Sequence, residues 1–267
     1  MPNGFFVDSA DLPGPSTPCL AFFVSLLVIC VIAFLALVHQ SQKASGEDTR
    51  QRVLLCGAAS WSVHIFVTGS LAYSGAIRKW EYTPPPVMLL MATMIAINIW
   101  ICTCTEFAKR LSQLPLYLLV GFQAFRIPVE VFLHVGYAEG FVPVQVTWEG
   151  RNFDILAAAL ALGIGIWNWL DTEKPYEWVL WIYNFIGLGL LINVVGTAIL
   201  SLPTKFRQFP NDPPAVFFTY VPFIWLPGVL VQLALGFHIL LFRRLASHAS
   251  TAERAEGEGK ALLSKQG

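Results

Sequence analysis

Residues 114–137 read LPLYLLVGFQAFRIPVEVFLHVGY, an apolar run with Arg126 and Glu130 deep inside it. A helix that crosses a bilayer needs about 20 apolar residues, so this run is long enough to do so. A charged side chain at membrane depth is costly and usually faces a site inside the protein. The stretch therefore predicts a membrane-spanning helix that carries a polar site.

Six further apolar runs of comparable length lie along the chain, and none of them carries a charge deep inside. The seven predicted spans are residues 18–38, 53–77, 86–108, 114–137, 154–170, 177–202 and 217–242. The chain has 267 residues, of which 13% are charged, whereas a soluble domain carries about 25%. We expect an all-α, polytopic bundle of seven transmembrane helices, formed by residues 1–245, and a disordered cytoplasmic tail, residues 246–267.

Basic residues are unevenly divided between the predicted loops. If the N-terminus lies outside, the inner segments contain Lys43, Arg50, Arg52, Lys109, Arg110, Lys174, Arg243, Arg244, Arg254, Lys260 and Lys265. The outer segments contain only Arg78, Lys79, Arg151, Lys205 and Arg207. Because cytoplasmic loops carry the excess of Lys and Arg, this division predicts an external N-terminus and a cytoplasmic C-terminus. Basic and acidic residues are equal in number, at 17 each, so the expected partner is the lipid bilayer and not nucleic acid.

The charged span presents its polar residues on one helical face. These residues are Gln123, Arg126, Glu130 and His134. They are spaced by three and four residues, which follows the turn of an α-helix. Arg126 and Glu130 can pair directly, while Pro128 between them removes one helical hydrogen bond. A rise of about 1.5 Å per residue places both charges in the outer half of the bilayer.

Polar residues of three other spans fall at a similar height by the same arithmetic. They are His64 and Thr68 of the second span, Thr93 of the third, and Asn193 and Thr197 of the sixth. Together with the four residues of the fourth span they form the predicted ligand-binding site. We expect this site to bind or transport a small anionic or polar ligand, which Arg126 would attract.

The outer segment after the fourth span has an alternating pattern. Its apolar residues are Val142, Val144, Val146 and Trp148, and the residues between them are Pro143, Gln145, Thr147 and Glu149. This period of two predicts an extended lid across the outer mouth of the bundle. The lid and loop residues of the predicted site are Gln145, Thr147, Asn152 and Asp154. Asn152 and Asp154 are also expected to cap the fifth helix, with Arg151 balancing the carboxylate.

Two stretches, FRIPVE at 125–130 and PVQVTWEGRNFD at 143–154, resemble a pattern of uncharacterised bacterial membrane proteins with seven spanning helices. The resemblance covers residues 123–154. It implies that the fourth span and its outer loop form one unit, and that the chain lies in a cell membrane, the bacterial inner membrane. It carries no activity over to this chain.

Two other classes of function stay open. The first is a membrane-embedded enzyme, in which Glu130 and His134, completed by His64 or Asp154, would hold a metal ion and leave a position for water. The second is a non-catalytic scaffold or accessory subunit, in which the pair Arg126–Glu130 only fastens helices together. Whether the chain is an enzyme is not decided by these residues.

No cofactor is expected. Retinal requires a Schiff-base lysine in the last span, and residues 217–242 contain no lysine. A bis-histidine haem requires two histidines at one depth. His64, His134 and His238 are predicted near the middle, the outer edge and the inner edge of the membrane, so no two of them match.

Overall fold

The computed structural model describes residues 12–43, 45–171, 177–210 and 212–263, and for 248–263 the backbone alone. Lys174 and Lys265, which count toward the predicted orientation, lie outside the described residues. Within the described residues the chain is all-helical and forms no strand. The α-helices are α1 (Thr17–Ser41), α2 (Glu47–Tyr73), α3 (Pro86–Cys104), α4 (Glu106–Ser112), α5 (Leu116–Gly121), α6 (Arg126–Ala138), α7 (Asp154–Leu170), α8 (Glu177–Leu200) and α9 (Val231–Leu263).

Six helical stretches of the described residues are long and apolar enough to cross a membrane. They are Thr17–Ser41, Glu47–Tyr73, Pro86–Cys104, Leu116–Ala138, Glu177–Leu200 and Leu226–Ser247. α7 is also apolar and coincides with the predicted fifth span, but at 17 residues it is shorter than these six. The chain is therefore a helical, multi-pass membrane protein, as its sequence predicts.

The fourth predicted span is interrupted in its middle. α5 ends at Gly121, a 3-10 turn covers Phe122–Phe125, and α6 begins at Arg126. Pro128 has no N–H to donate to the preceding turn, so regular α-helical bonding cannot continue through this point. Side chains on a helix lean toward its N-terminus, so the side chain of Arg126 leans back toward the break.

The seventh predicted span becomes helical later than expected. Residues 217–225 form a 3-10 turn and further turns, and Leu226–Leu230 form a π-helical turn that leads into α9. Pro227 and Gly228 explain the irregularity, because proline lacks an N–H and glycine is a poor helix former. π-helical turns of this kind are frequent at functional sites.

α9 runs well past the last predicted span and ends at Leu263. The backbone of 246–263 is therefore helical, whereas the sequence predicts a disordered tail over 246–267. Alanine and glutamate are the commonest residues in this segment, at five and three, and both are good helix formers, which explains the difference.

Hydrogen bonds between helix ends define the two ends of the bundle. At one end, which we call the α4 end, Arg243 of α9 donates to the carbonyl oxygen of Cys102 at the end of α3, at 3.1 Å. At the other end, which we call the loop end, the N–H of Ser16 before α1 donates to the carboxylate of Glu139 after α6, at 2.7 Å. The first contact joins α9 to the end of α3, and the second joins the start of α1 to the end of α6.

The segment after α6 folds into the bundle instead of lying across its mouth. A 3-10 turn at Val144–Val146 and adjoining turns replace the predicted extended strand. Both faces of that predicted strand are buried, since Val146 is 2% exposed and Gln145 is 3% exposed. Gly150 permits the compact path, because a side chain there would overlap the backbone of Val144. The predicted lid is therefore replaced by an inserted loop, residues 141–153.

α7 begins inside the bundle and runs antiparallel to the fourth span. Its first residue, Asp154, bonds to Arg126. Farther along α7, a Cβ atom on Gly165 would lie 2.8 Å from the Cα atom of Gly121, so the two helices touch backbone to backbone there. Ala161 lies between these points and is fully buried. Small residues on this face of α7 therefore allow the close approach of the two helices.

Candidate functional site

Arg126 is 2% exposed and lies at the centre of a buried polar cluster. Its Nε donates to Oδ2 of Asp154 at 2.6 Å, and its Nη2 donates to Oδ1 of the same carboxylate. Nη1 lies 3.0 Å from Nε2 of His238, and Nη2 lies 3.3 Å from the carbonyl oxygen of Gly187. The predicted ion pair with Glu130 does not form, because the inserted loop brings the start of α7 to the guanidinium group instead.

His238 is fully buried and joins Arg126 to α8. Its Nδ1 lies 2.7 Å from Oδ1 of Asn184, and Nδ2 of Asn184 donates to the carbonyl oxygen of His238 at 3.0 Å. Because Arg126 can only donate, Nε2 of His238 must accept, and Nδ1 then carries the proton. His238 is therefore a neutral imidazole in this arrangement.

Sequence reasoning missed both Asn184 and His238. They are polar residues within apolar spans, which is a signal of an internal site. The depth estimate placed His238 too near the inner edge to meet Arg126. The long side chain of Arg126 and the break before α6 allow the guanidinium group to reach His238 despite the predicted difference in membrane depth between the two residues.

Glu130 is 1% exposed and binds the inserted loop. Both of its carboxylate oxygens lie 2.7 Å from Nδ2 of Asn152. Oδ1 of Asn152 accepts the backbone N–H of Asp154 at 3.0 Å, but the N-cap residue of α7 is Phe153, and the carboxylate of Asp154 binds Arg126 and does not cap the helix. Asn152 thus links the carboxylate on α6 to the beginning of α7.

Other predicted loop residues support the inserted loop without contacting Arg126. Nε2 of Gln145 donates to Oγ of Ser201 on α8 at 3.0 Å. Thr147 is fully buried and bonds within the loop. Arg151, which was predicted to balance Asp154, lies with its Cζ 4.9 Å from the centre of the Phe209 ring.

Two residues of the fourth span lie at either end of the cluster. Gln123 donates from Nε2 to the carbonyl oxygen of Ala234 at 2.9 Å, and its buried Oε1 has no partner among the described residues. His134 stacks on Trp148 with ring centres 4.4 Å apart, and its Nδ1 lies 3.4 Å from Oε1 of Glu149. His134 therefore belongs to a partly exposed pair near the loop end.

Four further residues predicted for the site do not join the cluster. Thr68 and Thr93 donate to carbonyl oxygens of their own helices at 2.7 and 2.8 Å. Asn193 donates to the carbonyl oxygen of Arg151 at 2.6 Å and is exposed. Thr197 is 5% exposed, and its carbonyl oxygen accepts from Ser201.

A cavity of about 570 Å³ lies on the opposite side of α9, between α1, α2, α3, α4 and α9. Its walls are mostly apolar, with His64, Asn98 and Gln232 as polar members. Nε2 of His64 lies 2.8 Å from the carbonyl oxygen of Gly228 in the π-helical turn. Nδ2 of Asn98 donates to the carbonyl oxygen of Gln232 at 2.7 Å. His64, which the sequence placed beside Arg126, therefore belongs to this cavity.

α2 forms the outer wall of the cavity and is attached mainly through its second half. Nε1 of Trp225 donates to the carbonyl oxygen of Ile65 at 3.3 Å, and Ala72 is 1% exposed. In the first half, a Cβ atom on Gly57 would have no neighbouring atom within 4 Å. α2 is thus held at the loop end and leaves open space toward the α4 end.

The metal site considered from the sequence does not assemble. Glu130 binds Asn152, His134 stacks on Trp148, and His64 faces the carbonyl oxygen of Gly228, so the three side chains lie at separate places. Among the residues that the structure describes, no group of three His, Cys, Asp or Glu side chains could hold a metal ion.

Comparisons with curated proteins and with solved structures give no match. A family described as a domain of unknown function, DUF8737, matches residues 84–246. The matched range begins just before α3 and contains the polar cluster, the inserted loop and most of the cavity wall formed by α9. It covers more than half of the chain, and this protein therefore belongs to the DUF8737 family.

Proposed function

We propose that this protein binds or transports a small, largely apolar ligand with one hydrogen-bonding end, and that the ligand lies in the cavity between α2 and α9. The observation that carries the proposal is the cavity itself, at about 570 Å³. Sites for small molecules typically measure about 300–1,000 Å³ and combine apolar walls with a few polar groups. This cavity has both properties.

The polar corner of the cavity favours a ligand that donates a hydrogen bond. Nε2 of His64 faces a carbonyl oxygen, which can only accept, so Nε2 carries the proton. Nδ1 of His64 is then an acceptor, and it has no hydrogen-bond partner among the described residues. A hydroxyl group on an otherwise apolar molecule matches this acceptor.

The polar cluster supports a different role from the one that the sequence suggests. A guanidinium group has five N–H donors, and those of Arg126 already reach Asp154, His238 and Gly187. Arg126 therefore has little capacity left for an anionic ligand. In our proposal the cluster holds α6, α7, α8 and α9 together as the fixed part of the protein, and α2 is the part that admits the ligand.

The proposal includes seven crossings of the membrane, with the N-terminus outside. α7 supports this number, because α7 and the inserted loop together run from the loop end to the level of Gly121. Arg110, Arg243 and Arg244 lie at the α4 end, which supports a cytoplasmic location for that end. The resemblance to bacterial proteins favours the bacterial inner membrane.

The test uses fluorescence quenching by a brominated medium-chain alcohol. Trp61 lines the cavity, so the alcohol should quench wild-type fluorescence in a saturable way, and Trp61→Phe should remove the saturable part. Gly57→Phe fills space where no atom lies within 4 Å. We expect this variant to fold and to lose saturable quenching.

Gly189→Phe is the matched control, because a Cβ atom on Gly189 also has no neighbour within 4 Å and the residue does not line the cavity. It should keep wild-type quenching. If Gly57→Phe and Gly189→Phe quench equally, or if quenching never saturates, the binding proposal fails and the scaffold reading takes its place.

A further inference from the structure

The polar cluster contains one more carboxylate than it contains cations. Arg126 and Asp154 form a bidentate ion pair that balances its own charge. Glu130 lies next to this pair, is 1% exposed, and accepts hydrogen bonds from the neutral amide of Asn152. No cationic side chain among the described residues forms an ion pair with Glu130. An ionised Glu130 would leave the cluster with one unbalanced negative charge.

The described elements packed around Glu130 provide no second cation to balance its charge. The titratable and charged groups that face this region are Arg126 and His134 of α6, Asp154 of α7, Tyr183 of α8, and His238 of α9. His238 accepts from Arg126 and is neutral. His134 lies beside the carboxylate of Glu149, so any charge on it would be balanced there.

We propose that Glu130 is a proton-binding site and is protonated in the folded protein, so that the whole cluster is neutral at membrane depth. The proton adds to one carboxyl oxygen, and the other oxygen keeps accepting from Asn152. The reason is that an unbalanced charge in a dry, apolar interior is strongly unfavourable, whereas a neutral carboxyl group is not. This inference concerns a different site from the ligand cavity and does not depend on it.

Release of the proton would act on the inserted loop. Nδ2 of Asn152 lies within 3.0 Å of the carbonyl oxygen of Val146 as well as near both oxygens of Glu130, so one amide group serves both the loop and the carboxyl group. A new charge on Glu130 changes the hydrogen bond that holds the loop in place. A carboxylate accepts an amide hydrogen bond more strongly than a neutral carboxyl group does, so the contact with Asn152 favours the ionised form, whereas burial of Glu130 beneath the docked loop favours the proton. Proton binding and loop docking are therefore coupled through these two opposing effects.

The route of the proton to solvent leads toward the loop end. His134 lies one helical turn beyond Glu130 on α6. Its side chain is 33% exposed, and that of its partner Glu149 is 46% exposed. His134 and Glu149 therefore lie as two titratable groups between the buried carboxyl group of Glu130 and the solvent-exposed surface.

The first test compares two amide substitutions of the same size in the full-length protein in detergent micelles. Glu130→Gln resembles the protonated carboxyl group, so its unfolding temperature at neutral pH should lie within about 3 °C of wild type. Asp154→Asn removes the charge that Arg126 requires, and its unfolding temperature should fall by about 6–20 °C. Equal, large losses in both variants would overturn the proposal.

Infrared spectroscopy gives a second readout, which a purely structural role of Glu130 would not affect. Wild-type protein at neutral pH should show the carbonyl stretch of a protonated carboxyl group. This band should disappear in Glu130→Gln and persist in Glu106→Gln, which changes an exposed carboxylate. Absence of the band from wild type, or its persistence in Glu130→Gln, rules out proton binding at Glu130. The first of these results overturns the proposal even if the variant does not fold.

Discussion

The two faces of α9 differ in how completely they are packed. On one face His238 is fully buried and bonds to α6 and α8. On the other face Gly236 and Leu240 border a cavity of about 570 Å³ beneath α2. Both faces adjoin irregular backbone, so irregular backbone alone does not distinguish the proposed ligand site from the polar cluster. What distinguishes the two faces is open volume, because the cavity beneath α2 measures about 570 Å³ whereas His238 on the other face is fully buried.

Glycine residues show the same contrast. A Cβ atom on Gly187, at the polar cluster, would lie 2.6 Å from Cε1 of His238, whereas one on Gly57, at the cavity, would have no neighbour within 4 Å. On the closed face a glycine is required because two elements touch. At Gly57 the missing side chain leaves open space beside the cavity, whereas a Cβ atom on Gly236 would lie 3.2 Å from Oδ1 of Asn98.

The largest expected effect is on the closed face and comes from removing Arg126. Arg126→Ala leaves the carboxylate of Asp154 buried without a cation, and this should lower the free energy of unfolding by about 3–5 kcal/mol. The double variant Arg126→Ala with Asp154→Ala should lose less than the sum of the single variants, because the pair is coupled. Thermal unfolding in detergent measures all three.

A strictly additive result for Arg126 and Asp154 would break the contrast between the two faces, because it would mean that the ion pair contributes nothing to the closed face. The double variant Arg126→Ala with Glu130→Ala sharpens the test, because it measures whether Arg126 is coupled to Glu130 instead of Asp154. Sequence spacing assigns the coupling to Glu130, and the structure assigns it to Asp154.

An intermediate effect is expected from Gly187→Ala. The added methyl group would overlap the ring of His238, and overpacking of this kind costs about 1–3 kcal/mol. Gly189→Ala is the control on the same helix, since its methyl group meets no atom within 4 Å. It should be neutral or slightly stabilising, because alanine favours helix over glycine. Equal unfolding temperatures for the two variants would show that the closed face is looser than described.

The smallest effect is expected on the open face, from His64→Ala. The change removes the hydrogen bond to the carbonyl oxygen of Gly228, which is worth about 0.5–1.5 kcal/mol. Val63→Ala, at a neighbouring position that is 62% exposed, serves as the control in the same unfolding measurement. A loss for His64→Ala as large as that for Arg126→Ala would remove the distinction between a structural face and a binding face.

Much of the fold follows from the sequence because long apolar runs have few alternatives in a membrane. The predicted fifth span coincides with α7, and the buried position of Arg126 is confirmed. Asn152, which was predicted to cap α7, bonds to the N–H of the first residue of that helix, although the N-cap residue itself is Phe153. These features are local, and local spacing is what a sequence shows directly.

The partners within the cluster were not predictable from local spacing. Glu130 is four residues from Arg126 along a helix and is the obvious partner, yet the inserted loop brings Asp154 to the guanidinium group. The alternation of apolar and polar residues at 142–149 suggested a strand with one buried face and one exposed face. In the structure this segment is a loop, and both its apolar residue Val146 and its polar residue Gln145 are buried. The depth estimate assumed straight helices, and the 3-10 turn at Phe122–Phe125 breaks that assumption.

The separation of 28 residues between Arg126 and Asp154 has a consequence for biosynthesis. A ribosome adds about 5–20 residues per second, so the arginine emerges roughly one to six seconds before the aspartate that neutralises it. During this interval the half-made protein carries an uncompensated cation in its fourth span. We therefore expect the fourth span to settle in the lipid only after α7 has been made and Asp154 can neutralise the arginine.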